Sequence, residues 1–178
     1  MGNDGKPGQI RAAYEDLLRR YLPALRRLAW SYTRDPSEIE DLLQEIALGL
    51  WTALPHFRGD ATERTWLYRV AHNTAINFIS GSRRRAQRER SGDILEHFPD
   101  GALSPESTAI DEQRRGRLRE AIEDLGLTDK QIVVLHLEGL SAAEIEAVTG
   151  LSAGNVATRL TRARQRLSVL IREEAHER

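Results

Sequence analysis

Residues 140–170, LSAAEIEAVTGLSAGNVATRLTRARQRLSVL, decide the fold of the C-terminal half. Ser141 with Glu144 three positions later is a capping box, and Gly150 suits the left-handed residue that closes a helix. Leu151-Ser152 leaves room only for a tight turn, with Ser152 as N-cap of a longer second helix. In that helix Val156, Leu160, Ala163, Leu167 and Leu170 recur at helical spacing and are expected to pack inward. Asn155, Thr158, Arg159, Arg162 and Arg166 fall on a different face. Between Ala147 and Ile171 the chain has four arginines and no Asp or Glu. The pattern is a helix-turn-helix whose second helix fits a major groove, with Arg and Asn reaching base edges and phosphates. Asn155, Thr158, Arg159 and Arg162 lie towards its N-terminal half, which reaches bases, whereas Arg166, a turn later, suits a phosphate. The competing reading is a solvated basic face on a core helix. A capped helix and a tight turn directly in front favour DNA.

Upstream of this unit, Thr128 with Gln131 reads as another capping box, opening a helix that carries Ile132, Val133, Leu135 and Leu137 and ends at Gly139. Ser104-Pro105 is expected to start a helix that runs to about Leu125. Together these form a C-terminal domain over residues 105–172. Residues 83–104 continue the basic run SRRRAQRER into SGD and PDG with little periodicity, and are expected to be a basic, flexible linker. The N-terminal domain, residues 10–82, is also helical. Its first stripe is Tyr14, Leu17, Leu18, Tyr21, Leu22, Leu25, Leu28 and Ala29, with a kink possible at Pro23. Asp35-Pro36-Ser37-Glu38 is a helix start, followed by Ile39, Leu42, Leu43, Ile46, Leu50, Trp51 and Leu54. Thr62 caps a further helix from Glu63 to about Ser80, whose expected core stripe is Leu67, Val70, Ala71, Thr74 and Phe78. Strand signals are nearly absent. The fold class is therefore all-α: two small helical domains joined by a flexible linker, the second containing the helix-turn-helix.

Composition narrows the function. Charged residues make up 30% and hydrophobic ones 40% of the 178 residues, as expected of a soluble globular chain. With no cysteine, disulfides, thiol catalysis and cysteine-zinc sites are excluded. No apolar run is long enough to span a bilayer, and the start MGNDGKPGQ has no signal-peptide character, so the cytoplasm is expected and membrane insertion is not. The five histidines form no i, i+4 ligand pair, and there is no phosphate loop or nucleophile elbow. No enzyme activity, metal or cofactor is expected. The net charge of −1 hides segregation: 36–57 holds four acids and no Lys or Arg, while 83–90 holds five arginines and one acid. Such segregation suggests different partners for different surfaces.

Two further surfaces follow. Glu38, Asp41 and Glu45, with Gln44 beside them, lie opposite the apolar stripe of their helix. A face without interspersed lysines forgoes the usual i, i+4 support, and a basic partner would neutralise it; a solvated face is the plain alternative. On the next helix Trp66, Arg69 and Asn73 share a face beside the loop HFRGD. An aromatic ring with Arg and Asn can stack on and hydrogen-bond an unstacked base. Taken alone, Trp66 packed between helices is the competing reading.

In this order, IEDLLQEIALGLW (39–51), FRGDATERTWLYRVAHNTAINFI (57–79) and LTDKQIVVLHLEGLSAAEIEAVTGLSAGNVATRLTRARQRL (127–167) resemble the extracytoplasmic-function type of bacterial RNA polymerase sigma factor. The resemblance covers roughly Tyr14 to Arg172. It implies that Asp41, Gln44 and Glu45 dock on the β′ clamp helices of core polymerase. It implies that Phe57, Arg58, Trp66, Arg69, Asn73 and Asn77 surround a flipped base of the −10 element, with Asn73 at the matching asparagine. The helix-turn-helix would then read the −35 element through Asn155, Thr158, Arg159, Arg162 and Arg166, and contact the β flap. An anti-sigma protein is expected as a further partner beside polymerase and promoter DNA. Ala157 and Ala142 depart from residues common in the family and blur the promoter sequence to be expected. The alternative is a helix-turn-helix regulator that binds an operator without core polymerase; it leaves the acidic face and the Trp66/Asn73 face unexplained. A helical adaptor without a DNA role would leave the arginine helix unexplained too.

Overall fold

The computed structural model describes residues 7–89, 116, 118 and 120–176, with side chains over 8–81, 116, 118 and 120–168. Among the described residues every regular element is helical. The elements are α1 (Pro7–Trp30), α2 (Pro36–Ala53), a 3₁₀ turn (Leu54–His56), α3 (Glu63–Glu89), a helix end at 120–123, α4 (Leu127–Leu137), α5 (Ala142–Thr149) and α6 (Ala153–His176). The chain divides into two compact units. One holds α1 to α3; the other holds α4, the first residues of α5, and α6.

In the first unit α1 runs as one helix through Pro23. Its buried stripe is Leu17, Ala24, Leu25, Leu28 and Ala29. Leu22, expected on that stripe, is instead 46% exposed, because the contact with α2 and α3 covers a narrower band of the helix. The start of α2 is as its sequence dictates: Asp35 accepts from the Ser37 amide at 2.8 Å and Pro36 opens the first turn. Glu38 does not close a capping box. It accepts from the Thr33 hydroxyl and ties α2 to the preceding turn. Leu42, Leu43, Ile46 and Leu50 form the core face of α2. Trp51 stays half-exposed at its margin, edge-on to Tyr14 with ring centroids 5.0 Å apart, while the Tyr14 hydroxyl donates to the Ala47 carbonyl at 2.9 Å.

Thr62 caps α3, accepting from the Thr65 amide at 3.1 Å. The buried face of α3 is Trp66, Leu67, Tyr68, Ala71, His72 and Ala75, rotated from the expected stripe. Val70, Thr74 and Phe78 are only half-buried and line a groove beside α2. The helices are in close contact at Gly49, where a Cβ would lie 2.9 Å from Thr74 Oγ1. Helix α3 also does not stop near Ser80. It passes through Gly81 to Glu89, because one helical glycine costs only about 1 kcal/mol and the following Arg, Ala, Gln and Glu are good helix formers. The backbone of residues 83–89, assigned to a linker on composition, is thus helical; residues 90–104 lie outside the described residues, as does the helix start expected at Ser104-Pro105.

In the second unit α4 begins at Leu127 with Gly126 as N-cap. Thr128 therefore lies inside the first turn and makes no capping box with Gln131, which is buried. Ile132, Val133, Val134 and Leu135 are buried in succession, a helix covered on most sides, but Leu137 at its end is 61% exposed. Gly139, at φ 83°, reverses the chain. The capping box at Ser141 and Glu144 forms in both directions, and Gly150 closes α5 at φ 75°. Ser152 accepts from the Asn155 amide at 3.4 Å, and Val156, Leu160 and Ala163 face inward from α6.

Candidate functional site

The acidic face of α2 and the asparagines of α3 are two banks of one groove. Glu38, Asp41, Glu45 and Leu48 line it from α2; Asn73, Asn77 and Phe78 line it from α3. The groove is open, about 1100 Å³ in volume. Asp41, Gln44, Glu45, Asn73 and Asn77 are all exposed. The other acids of α2 are occupied: Glu40 pairs with Arg26 at 2.6 Å and Glu38 binds Thr33. Asp41 and Glu45 have no ion-pair partner among the described residues. Two like charges one helical turn apart destabilise each other slightly, and a cation brought to this bank would relieve that repulsion.

Trp66 requires a correction. It is not an open stacking face shared with Asn73, since only 6% of it is exposed and its ring packs against Phe57 with centroids 4.9 Å apart at 38°. The loop after the 3₁₀ turn folds back over the start of α3, with Gly59 at φ 78° making the bend, and so covers the indole. What results is a smaller concavity of about 290 Å³ lined by His56, Phe57, Arg58, Asp60, Trp66 and Arg69. Arg69 is exposed at its side. The six residues expected to act together thus fall in two places: Phe57, Arg58, Trp66 and Arg69 at the loop, Asn73 and Asn77 in the groove. His56 lines both. His72, between the two sets in sequence, is buried and hydrogen-bonded to Tyr32.

On α6, Asn155, Thr158, Arg162 and Arg166 are exposed. Thr158 donates its hydroxyl to the Gly154 carbonyl at 2.9 Å. Arg159 differs from the other arginines: it is partly covered and paired with Asp129 of α4 at 2.6 Å. Arg164, which the sequence pattern did not single out, donates to His136 Nε2 at 2.7 Å. Since arginine only donates, that nitrogen accepts, and the opposite Nδ1–H points to the Leu140 carbonyl at 3.4 Å. Neither Asp129 nor His136 carries a local sequence signal, because each meets its partner across about thirty residues of chain.

Among the described residues no group of three or more His, Asp or Glu could hold a metal ion, and no helix is long and apolar enough to cross a membrane. Residues 17–85 match the sigma-70 region 2 family, and residues 115–167 match a sigma-70 region 4 family. The ECF RNA polymerase sigma-E factor of Escherichia coli strain K12 is 34% identical over 161 residues, covering 86% of this chain and 83% of that protein. The RNA polymerase sigma-H factor of Pseudomonas aeruginosa is 31% identical over 160 residues, with the same shares covered. Among solved structures, the sigma factor RpoE bound to the anti-sigma factor NepR from Bartonella quintana superposes with a TM-score of 0.71 at 24% identity, over 90% of this chain and 97% of that one. CnrH in complex with the cytosolic domain of CnrY gives 0.63 at 24% identity, over 92% and 90%. At that identity the two structures speak for the fold alone.

Proposed function

This chain belongs to the extracytoplasmic-function (ECF) family of RNA polymerase sigma factors, and we propose that its exposed surfaces divide the work of transcription initiation among them. It is an alternative sigma factor acting with RNA polymerase. Asp41, Gln44 and Glu45 dock on the β′ clamp helices of the core enzyme. Phe57, Arg58 and Arg69 at the loop, which the buried Trp66 supports from beneath, and Asn73 and Asn77 in the groove, hold the unpaired bases of the −10 element. Asn155, Thr158, Arg159 and Arg162 face the −35 base pairs, Arg166 a phosphate, and the same domain meets the β flap. The modules are residues 10–82 and 105–172, tethered by 83–104, of which 83–89 extend α3 as helix.

The mechanism is differential binding without catalysis. Opening a base pair costs a few kcal/mol of stacking and pairing, and a pocket that accepts only the extruded base offsets that cost. Two tethered DNA-binding modules raise each other's effective concentration on one promoter. Membership of the family disfavours an operator-binding repressor. The observation that carries the reading is the α2/α3 groove, where the exposed Asp41 and Glu45 face asparagines that can hydrogen-bond a base. Core docking and strand capture would thus occur side by side.

An anti-sigma protein that covers the acidic bank and the arginine helix is the matching inhibitor; of the two similar structures above, RpoE was solved with the anti-sigma factor NepR and CnrH with the cytosolic domain of CnrY. The cytoplasm, where polymerase works, is the place of action. Purified chain added to sigma-free core should give initiation from its promoter, and the chain alone should leave the same duplex nearly unbound. Tight duplex binding by the free chain, with no initiation after core is added, would overturn the reading.

A further inference from the structure

Arg159 uses two of its nitrogens inside the protein. Its Nη1 donates to Asp129 Oδ1 at 2.6 Å, and its Nε donates to Asn155 Oδ1 at 2.9 Å. A guanidinium reads guanine bidentately through a pair of neighbouring nitrogens, either Nη1 with Nη2 or Nε with Nη2. Each pair has one nitrogen already engaged, which fixes the guanidinium plane and leaves Nη2 as its uncommitted nitrogen while Asp129 holds it. The consequence passes to Asn155. Arginine has donors only, so the amide atom facing it must be the oxygen, and the Asn155 NH₂ is turned away from Arg159 on an exposed position near the start of α6.

We propose that Asp129, which lies in α4 outside the helix-turn-helix, is a positioning residue for promoter readout: through Arg159 it sets the Asn155 amide so that this corner of the recognition helix presents donors. The donors are the Asn155 NH₂ and the remaining Arg159 Nη2. The major-groove edge that offers two acceptors and no donor is guanine, through O6 and N7. Adenine is read by an asparagine that accepts at its oxygen while donating from its nitrogen, and here Arg159 competes for that oxygen. Cytosine presents a donor and is disfavoured outright. The base pair facing Asn155 is therefore read as guanine in preference to adenine. The pair itself is a weak staple, because Asp129 and Arg159 are about one-third exposed and solvent screens their attraction. Its effect lies in orientation.

This inference rests on the assignment of α6 as the −35 reader, and one experiment separates the two. Holoenzyme assembled with parent or variant chain is measured on duplex promoters carrying each base pair at every −35 position, over a range of salt. Parent holoenzyme should prefer guanine to adenine at the Asn155 position by roughly 5- to 150-fold, the worth of one good base contact. Asp129→Ala should collapse that preference towards onefold or turn it to adenine, leaving other positions ranked as before. The released Arg159 charge becomes available to a phosphate, so the salt slope should steepen by about one. Asp129→Glu should restore guanine preference, which a general loosening of the domain would not explain. If Asp129→Ala fails to fold, Asp129→Asn, which keeps the side-chain shape but removes the charge that strengthens the hydrogen bond to Arg159, is measured instead and should lower the preference in the same direction. An unchanged ranking in the Asp129 variants, with a changed one in Arg162→Ala, would overturn the relay alone. Unchanged ranking in all of them would overturn α6 as the reader, and the relay with it.

Discussion

The hydroxyl of Tyr32 is hydrogen-bonded to Nδ1 of His72, and both rings are almost wholly buried, with centroids 5.9 Å apart at 60°. The pair joins the turn after α1 to the middle of α3, one residue before Asn73. Burial holds the His72 imidazole below its ordinary value of 6.5 and pushes the Tyr32 phenol well above its own. Burial therefore favours the neutral imidazole of His72, beside a phenol that stays protonated.

Stability should fall on mild acidification. Between the lowered folded value and the ordinary 6.5, the unfolded chain binds a proton at His72 that the folded chain does not, so stability rises with pH across that window. The contribution is present above about pH 6.5 and is lost as pH drops through and below it. Urea midpoints measured from about pH 7.5 down to about pH 5.5 should decline in the parent and decline less in His72→Phe. Parallel slopes in the two chains would assign the loss to other groups.

Gly49 of α2 packs against Thr74 of α3. Gly49→Ala gains about 1 kcal/mol of helix propensity, but its methyl would meet Thr74 Oγ1 at 2.9 Å, and overpacking costs about 1–3 kcal/mol. The single substitution should destabilise by about 1 kcal/mol, whereas in a Thr74→Ala background the same change should be neutral or stabilising. A double-mutant cycle without coupling would show that the groove floor yields to a methyl group at Gly49.

Charge reversal at Asp41 and Glu45 tests docking. Both side chains are exposed and unpaired among the described residues, so Asp41→Lys with Glu45→Lys should change stability by less than about 0.5 kcal/mol. Competition with a labelled sigma factor for core polymerase should be lost all the same. Normal competition by the double variant would remove this bank from the core interface.

Asn73→Ala tests strand capture. It should slow open-complex formation on duplex promoter and have a smaller effect on a template with a pre-opened bubble, where the unstacking cost has already been met. Equal defects on both templates would make Asn73 a structural residue of α3.

Local chemistry was legible without the fold. A capping box or an N-cap joins residues two or three apart, so Ser141 with Glu144, Asp35 with Ser37, and Thr62 with Thr65 follow from spacing, as do the helix-turn-helix and the all-helical class. Spacing misled where a helix could start two residues earlier: Gly126 took the cap that Thr128 and Gln131 were expected to form. It also misled at Gly81, where the glycine read as a break was outweighed by the helix formers after it. Tertiary structure alone decided the rest. An amphipathic pattern says that a helix has a buried side, but its width and angle depend on what packs there. Hence Leu22 faces solvent, Trp66 is covered by the loop of Phe57, and the α3 face is rotated so that Asn73 meets the acids of α2. The contacts that tune the site, Asp129 with Arg159 and Tyr32 with His72, span 30 and 40 residues. No periodicity encodes such pairs, because they exist only once two helices have been brought together by the burial of their apolar faces.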